Sequence, residues 1–170
     1  MRHTVMAAAL VFSLATPAYA QQDWSHVEQA LGRTGQAQPD GAYKFSFPRT
    51  DLKVTVDGVE IKPALALGSW LAFQQAGGKA SVMGDLVLTE AEINPVMSKL
   101  LEHNIAVTAL HNHLLRAQPS TMYMHVSGDG DAVKLASALR DALVVTQTPM
   151  VTAATPAAAR HSRPPPALQL

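Results

Sequence analysis

Residues 105–126 read IAVTALHNHLLRAQPSTMYMHV. Ile105, Val107 and Ala109 alternate with other residues, and the same parity continues into His111 and His113. Alternation of this kind predicts a strand over 105–114 with these five side chains on one face. A loop containing Arg116 and Pro119 follows, and residues 121–126 read as a returning strand. A pairing that sets His111 opposite His125 also sets His113 opposite Tyr123, with all four on one face. Directly opposed residues have Cβ atoms about 4.5–5.5 Å apart, close enough for imidazoles to converge on one ion. A slip of one residue would move His125 to the other face and dissolve the group.

The elements around this pair point to α+β. On the N-terminal side, Trp24, Val27 and Leu31 recur at helical spacing over 23–31, with Ser25/Glu28 as a capping box and Asp23 as a competing cap. Gly32 and Gly35 end that helix. Tyr43, Phe45 and Phe47 alternate with Lys44 and Ser46 up to Pro48. Val54 and Val56 lead into Asp57-Gly58, and Val59 and Ile61 follow, a strong hairpin signature. Residues 70–75 and 80–88 read as strands around Gly77-Gly78. A second helix lies near 89–102, with Thr89 and Glu92 spaced as a capping box. Pro95 argues against an unbroken helix there, and Asn94 is an alternative cap. A last helix over 131–145 follows Asp131 as N-cap, with Ala132, Val133, Ala136, Leu139 and Leu143 spaced to cover a sheet. Helices and strands in this order favour a mainly antiparallel sheet with helices packed on one face.

The two ends of the chain read differently. Residues 1–20 resemble a secretory signal: Arg2, an apolar run from Val5 to Leu14 shorter than the roughly 20 residues a bilayer needs, and Ala18-Tyr19-Ala20 as a cleavage site. The expectation is a periplasmic or secreted protein with no membrane span, its single domain covering residues 21–147. Residues 148–170 are rich in Ala and Pro, with Pro164, Pro165 and Pro166 in succession, and read as an extended, disordered tail. With 13 Lys+Arg against 13 Asp+Glu, the chain lacks the basic excess of a nucleic-acid binder. The absence of cysteine excludes disulfides, thiolate metal sites and cysteine nucleophiles. An apolar fraction of 48% with 15% charged residues is that of a globular chain rather than a disordered polyelectrolyte.

The candidate chemistry is a metal site. Three histidines on adjacent strands suit a divalent transition metal, zinc foremost, at metal–nitrogen distances near ~2.0–2.1 Å. The expected ligand set is His111, His113, His125 and Glu92. Glu90 and Asp85 are the other carboxylates considered, and helix capping is the competing role for the glutamates. Taken singly, each histidine suits backbone hydrogen bonding at a sheet edge better than ligation. His103 reads as surface, and Arg116 as a loop residue able to orient an anion. Three tempting motifs fail. A ββα-metal nuclease spreads its histidines and asparagine apart. A cupin needs a glutamate where Arg116, Ala117 and Gln118 stand. Gly128-Asp129-Gly130-Asp131 lacks the remaining ligands of a calcium loop.

Residues 82–143, VMGDLVLTEAEINPVMSKLLEHNIAVTALHNHLLRAQPSTMYMHVSGDGDAVKLASALRDAL, resemble the LppY/LpqO family of exported bacterial proteins. The likeness is most specific in TALHNHLL, MYMH and the GDA-containing start of the last helix, and it extends back to Asp23. Members often carry two such domains in tandem. A single copy here leaves a homodimer or a shortened product open. The resemblance implies an exported domain with no reaction to transfer, and His111, His113, His125 and the Glu90/Glu92 region match its motif positions. Two functions are therefore expected as alternatives. One is an exported metal-binding domain, for metal handling or metal-dependent catalysis. The other is a non-catalytic envelope module that binds a small molecule or partner without metal. A pH sensor built on clustered histidines is a third, weaker idea.

Overall fold

The computed structural model describes residues 23–150. The expected signal at 1–20 and most of the expected tail lie outside them. In chain order the elements are α1 (Ser25–Leu31), β1 (Gln36–Ala37), β2 (Tyr43–Pro48), β3 (Val54–Val56), β4 (Val59–Ile61), α2 (Pro63–Ala66), β5 (Gly68–Ala76), β6 (Lys79–Thr89), α3 (Glu90–Glu102), β7 (Ala106–His111), β8 (Ala117–Gln118), β9 (Thr121–Gly130) and α4 (Ala132–Leu143). Among the described residues no helix is long and apolar enough to cross a membrane.

The architecture is α+β. Six strands form one sheet in the order β1-β2-β5-β6-β9-β7, every neighbouring pair antiparallel. The long central pair β6–β9 runs in unbroken register from Ala80↔Gly130 to Thr89↔Thr121. Helices α1, α3 and α4 cover one face. Val27 and Leu31, Val96 and Leu100, and Leu135 and Leu139 meet Phe45, Phe73, Leu86 and Met124 in one core. Period-2 burial along β2, where Phe45 and Phe47 are buried and Ser46 exposed, is the alternation read from the sequence.

Turn chemistry closes both hairpins as expected. Asp57 and Gly58 have φ of 49° and 83°, and Gly77 and Gly78 have φ of 55° and 82°. Paired positive φ is what a two-residue hairpin turn of matching twist requires. The first hairpin does not join the main sheet, however. It forms a second, three-stranded sheet, β4-β3-β8, around a small core of Val54, Leu67, Val87, Ala117 and Tyr123. Strand β8 lies inside the segment expected to be loop.

Four sequence-based expectations are corrected. Glu28 does not close a capping box: Asp23 Oδ1 accepts the Ser25 N–H at 2.9 Å, while Glu28 Oε1 accepts from Gly35 N and Tyr43 Oη at 2.9 and 2.7 Å. Helix α3 runs unbroken from Glu90 through Pro95. Proline that near the N-terminus forfeits one backbone bond, and burial of Val96 and Leu100 against the sheet outweighs it. In α4 Val133 is 39% exposed, and Leu135 and Ala138 help cover the sheet instead. Finally, the folded segment reaches past Gln147. Thr148 is buried, Met150 packs against the core, and Arg33 Nη1 donates to the carbonyls of Pro149 and Met150 at 3.0 and 3.1 Å.

Asp131 caps α4 as expected, its Oδ1 accepting the Lys134 N–H at 2.9 Å. Asp131→Ala removes that cap and should cost about 1 kcal/mol, a fall of about 3–5 °C in Tm for a chain this size by differential scanning calorimetry.

Candidate functional site

A bulge in β7 decides which side chains meet. Val107 pairs with Val126, and then Ala109, not Thr108, pairs with His125. One extra residue on one strand reverses its facing. Before the bulge Ile105 and Val107 point into the helix-covered core; after it Ala109 and His111 point to the open face, with His125 and Tyr123. The continuous parity expected through 105–113 is therefore broken. Without the bulge His111 would point among the helices. The register also differs from the expected one: His111 stands opposite Tyr123, and His125 opposite Ala109. This is a shift of two, so the facing of His111 and His125 survives.

Strand β7 stops at His111, and His113 lies just beyond it. Its ring stacks on Tyr123, centroids 3.7 Å apart and planes 10° apart. His111 lies between the other two histidines, 4.7 Å from each ring centroid to centroid. The Nε2 atoms of His111 and His113 are 2.7 Å apart, so one ring donates and the other accepts. Tyr123 forms the floor. It is buried, and its hydroxyl donates to the Ala66 carbonyl at 2.8 Å. Burial, and then the nearby charge of Asp85, raises its pKa above the usual phenol value.

The carboxylate at this site is Asp85. It stands directly opposite His125 across β6–β9, with Oδ2 3.7 Å from Nε2 of that ring, beyond hydrogen-bond length. Its other oxygen, Oδ1, is buried without a hydrogen-bond partner among the described residues. A buried carboxylate oxygen left unpaired is costly, so such an atom marks a place for a donor or a cation. The signal in the sequence was an acid on the parity of Ser81 and Met83, opposite to the core-facing parity of Val82 and Leu86. Only the register of β6 against β9 ties it to His125.

Glu92 is not brought to the histidines. Its Oε2 accepts from Arg49 Nη1 at 2.9 Å and from the Thr89 N–H at 2.8 Å. Its Oε1 accepts from Arg49 Nη2 at 3.0 Å and from the Gln147 N–H at 2.9 Å. Burial alone would raise its pKa; the hydrogen bonds from Arg49, Gln147 and Thr89 more than reverse that and hold it below the ordinary glutamate value. It thus joins the start of α3, the segment that follows α4 and the arginine just after β2. Glu90 is exposed at the start of α3. His103 lies 3.4 Å from Asp141, and Arg116 pairs with Asp57 at 2.7 Å, tying its loop to the β3–β4 turn.

The three histidines and Asp85 offer imidazole and carboxylate donors on one open face, and a hydrogen-bonded pair of rings able to pass a proton. Among the described residues, no group of three or more His, Asp or Glu side chains is arranged to hold one ion as the rings stand. A groove leads away from them across the sheet. A cavity of about 370 Å³ lined by Asp85, His113 and Tyr123 also touches Lys44 and Trp70. Those two residues also line a larger cavity of about 690 Å³.

No curated protein and no solved structure matches the chain. A family profile described as Domain of Unknown Function (DUF1259) matches residues 25–145, and the chain belongs to that family.

Proposed function

We propose that this is an exported metal-binding domain of the LppY/LpqO type, with His111, His113 and His125 as nitrogen ligands and zinc as the ion they suit best. Asp85 replaces Glu92 as the carboxylate of this reading. One observation carries it: two imidazole Nε2 atoms 2.7 Å apart, beside a third histidine and an orphaned carboxylate oxygen. Two bonds of about 2.0–2.1 Å to one ion place their nitrogens about 2.9 Å apart at a right angle and about 3.3 Å apart at the tetrahedral angle. The histidine pair therefore needs only a small opening to grip an ion. The His125 ring must turn toward it, which an imidazole 44% exposed can do without repacking the core.

An ion held by three imidazoles keeps an open position for water or a substrate oxygen, the common ground of metal handling and metal-dependent catalysis. Export rests on the signal-like residues 1–20.

Elemental analysis of the protein purified from zinc-supplemented cells should find about one equivalent of metal, lost in His111→Ala and His125→Ala. The wild-type Tm should rise with added zinc, since an ion at one hundred times its Kd adds about 2.7 kcal/mol. Absence of metal, or binding that survives both substitutions, refutes the proposal.

A further inference from the structure

Residues 146–150 cross the helical side of the molecule as a strap. The chain leaves α4 through Val144 and Val145, both exposed, and then buries Thr146 and Thr148. Among the described residues, the strap's backbone bonds to no helix or strand backbone except through the Thr146 N–H, which donates to the Leu143 carbonyl at the end of α4. Side chains hold it instead. Arg33 Nη1 clamps the carbonyls of Pro149 and Met150, and Glu92 Oε1 accepts the Gln147 N–H.

The clamp works against itself. Arg33 is 7% exposed and forms no ion pair among the described residues; its guanidinium lies 4.6 Å from the Phe47 ring centroid. Two neutral carbonyls and a ring replace its water only in part, so burial of this cation opposes seating of the strap. Lifting the strap returns the guanidinium to water and uncovers two threonines and the half-buried Met150. The gain offsets part of the loss, which is the condition for a segment that opens alone while the rest of the fold stays closed.

Glu92 carries the state of the strap inward. Its carboxylate holds Arg49 at 2.9 and 3.0 Å, and Arg49 Nη1 donates to the Val87 carbonyl at 2.6 Å. Val87 stands directly opposite Tyr123 across β6–β9 and packs with it in the small core. Tyr123 in turn carries the stacked ring of His113. Each step from Gln147 to His113 is therefore a direct contact.

We propose that the strap is a conformational switch for the histidine site. Seated, it fixes Glu92 and Arg49 and, through Val87, the Tyr123 floor. Lifted, it withdraws a donor from Glu92 Oε1 and loosens the stack of His113 on that floor. Residues 151–170 continue directly from Met150, so a pull on them meets the Arg33 clamp first. The coupling involves no metal, so it stands or falls apart from the metal proposal.

Substitutions in the full chain, EDTA-treated, test the switch. Gln147→Pro removes the N–H given to Glu92, whereas Gln147→Ala keeps it. Thr148→Lys lifts the strap by a second route, because its ammonium cannot stay buried unpaired. Seating is read from hydrogen exchange of the residue-148 N–H, which donates to Thr146 Oγ1 at 3.0 Å. The floor is read from the His113 ring-proton resonances, which Tyr123 shields while the two rings stack. Gln147→Pro and Thr148→Lys should each speed that exchange about tenfold and move the His113 resonances toward those of an unstacked histidine. Gln147→Ala should stay within about twofold of wild type in exchange, with His113 unmoved. Asp131→Ala, which weakens the fold at the far end of α4, should also leave the His113 resonances in place. Unchanged exchange in Gln147→Pro, faster exchange with His113 unmoved, or an equal movement of His113 in Gln147→Ala or Asp131→Ala would each overturn the proposal.

Discussion

Arg49→Ala should destabilise the fold by about 3–5 kcal/mol, the usual consequence of removing one member of a buried charge cluster. The guanidinium is fully buried. It donates to Glu92 from both terminal nitrogens, to Asp51 from Nε and Nη2, and to the Val87 carbonyl at 2.6 Å. Its loss leaves Glu92 charged, nearly excluded from water and held by backbone N–H groups alone. Against a typical total of about 5–15 kcal/mol, such a loss brings the chain near unfolding. Arg49→Lys should recover only part of it, because an ammonium cannot meet two carboxylates as a fork.

The same cluster sets the acid limit of stability. The pKa of Glu92 is lower in the folded chain than its ordinary value of 4.5. The unfolded chain therefore takes up the proton first as the solution is acidified. The stabilisation is complete above about pH 4.5 and is lost as pH falls through the folded-state pKa. Urea unfolding measured from pH 7 to pH 3 should show this decline in the wild type. In Glu92→Gln the slope should flatten from an already lower plateau. An Arg49→Ala protein as stable as wild type at pH 7 would contradict the account.

Tyr123→Ala is the second large effect, expected at about 3–5 kcal/mol, the range for truncating a fully buried aromatic. Tyr123 joins the small core of Val54, Leu67, Val87 and Ala117 and carries the stacked ring of His113. Tyr123→Phe keeps the ring and loses the bond to the Ala66 carbonyl, so about 1 kcal/mol is expected. The pair of variants separates packing from hydrogen bonding. If the floor positions His113, Tyr123→Phe should preserve the zinc-induced rise in Tm, and Tyr123→Ala should diminish it even at temperatures where it remains folded. Chemical denaturation and thermal melts with and without zinc measure both.

Local physics made much of the fold legible. Phe45 and Phe47 announce their strand by parity, Asp57-Gly58 and Gly77-Gly78 announce their turns by the φ they permit, and Asp131 announces α4 by its capping oxygen. Each of these signals is confined to a few neighbouring residues, where sterics and one hydrogen bond suffice. The same is true of His111 and His125 as members of strands, and their common facing was foreseen through a register that proved two residues off.

Glu92 shows where local reading ends. Three residues after Thr89 it fits a capping pattern, and beside histidine-rich strands it also fits a metal ligand. The choice between them is made by Arg49, 43 residues away in the chain and invisible to any local window. Asp85 was likewise one acid among several until β6–β9 pairing set it against His125. Sequence alone determined the long strands, both hairpin turns, the caps of α3 and α4 and the antiparallel α+β class, because these follow from short-range geometry. Tertiary structure decided the bulge at Thr108, the second small sheet, the partners of Glu92 and the open groove beside Lys44, because each depends on which distant backbone happens to lie within a few ångströms.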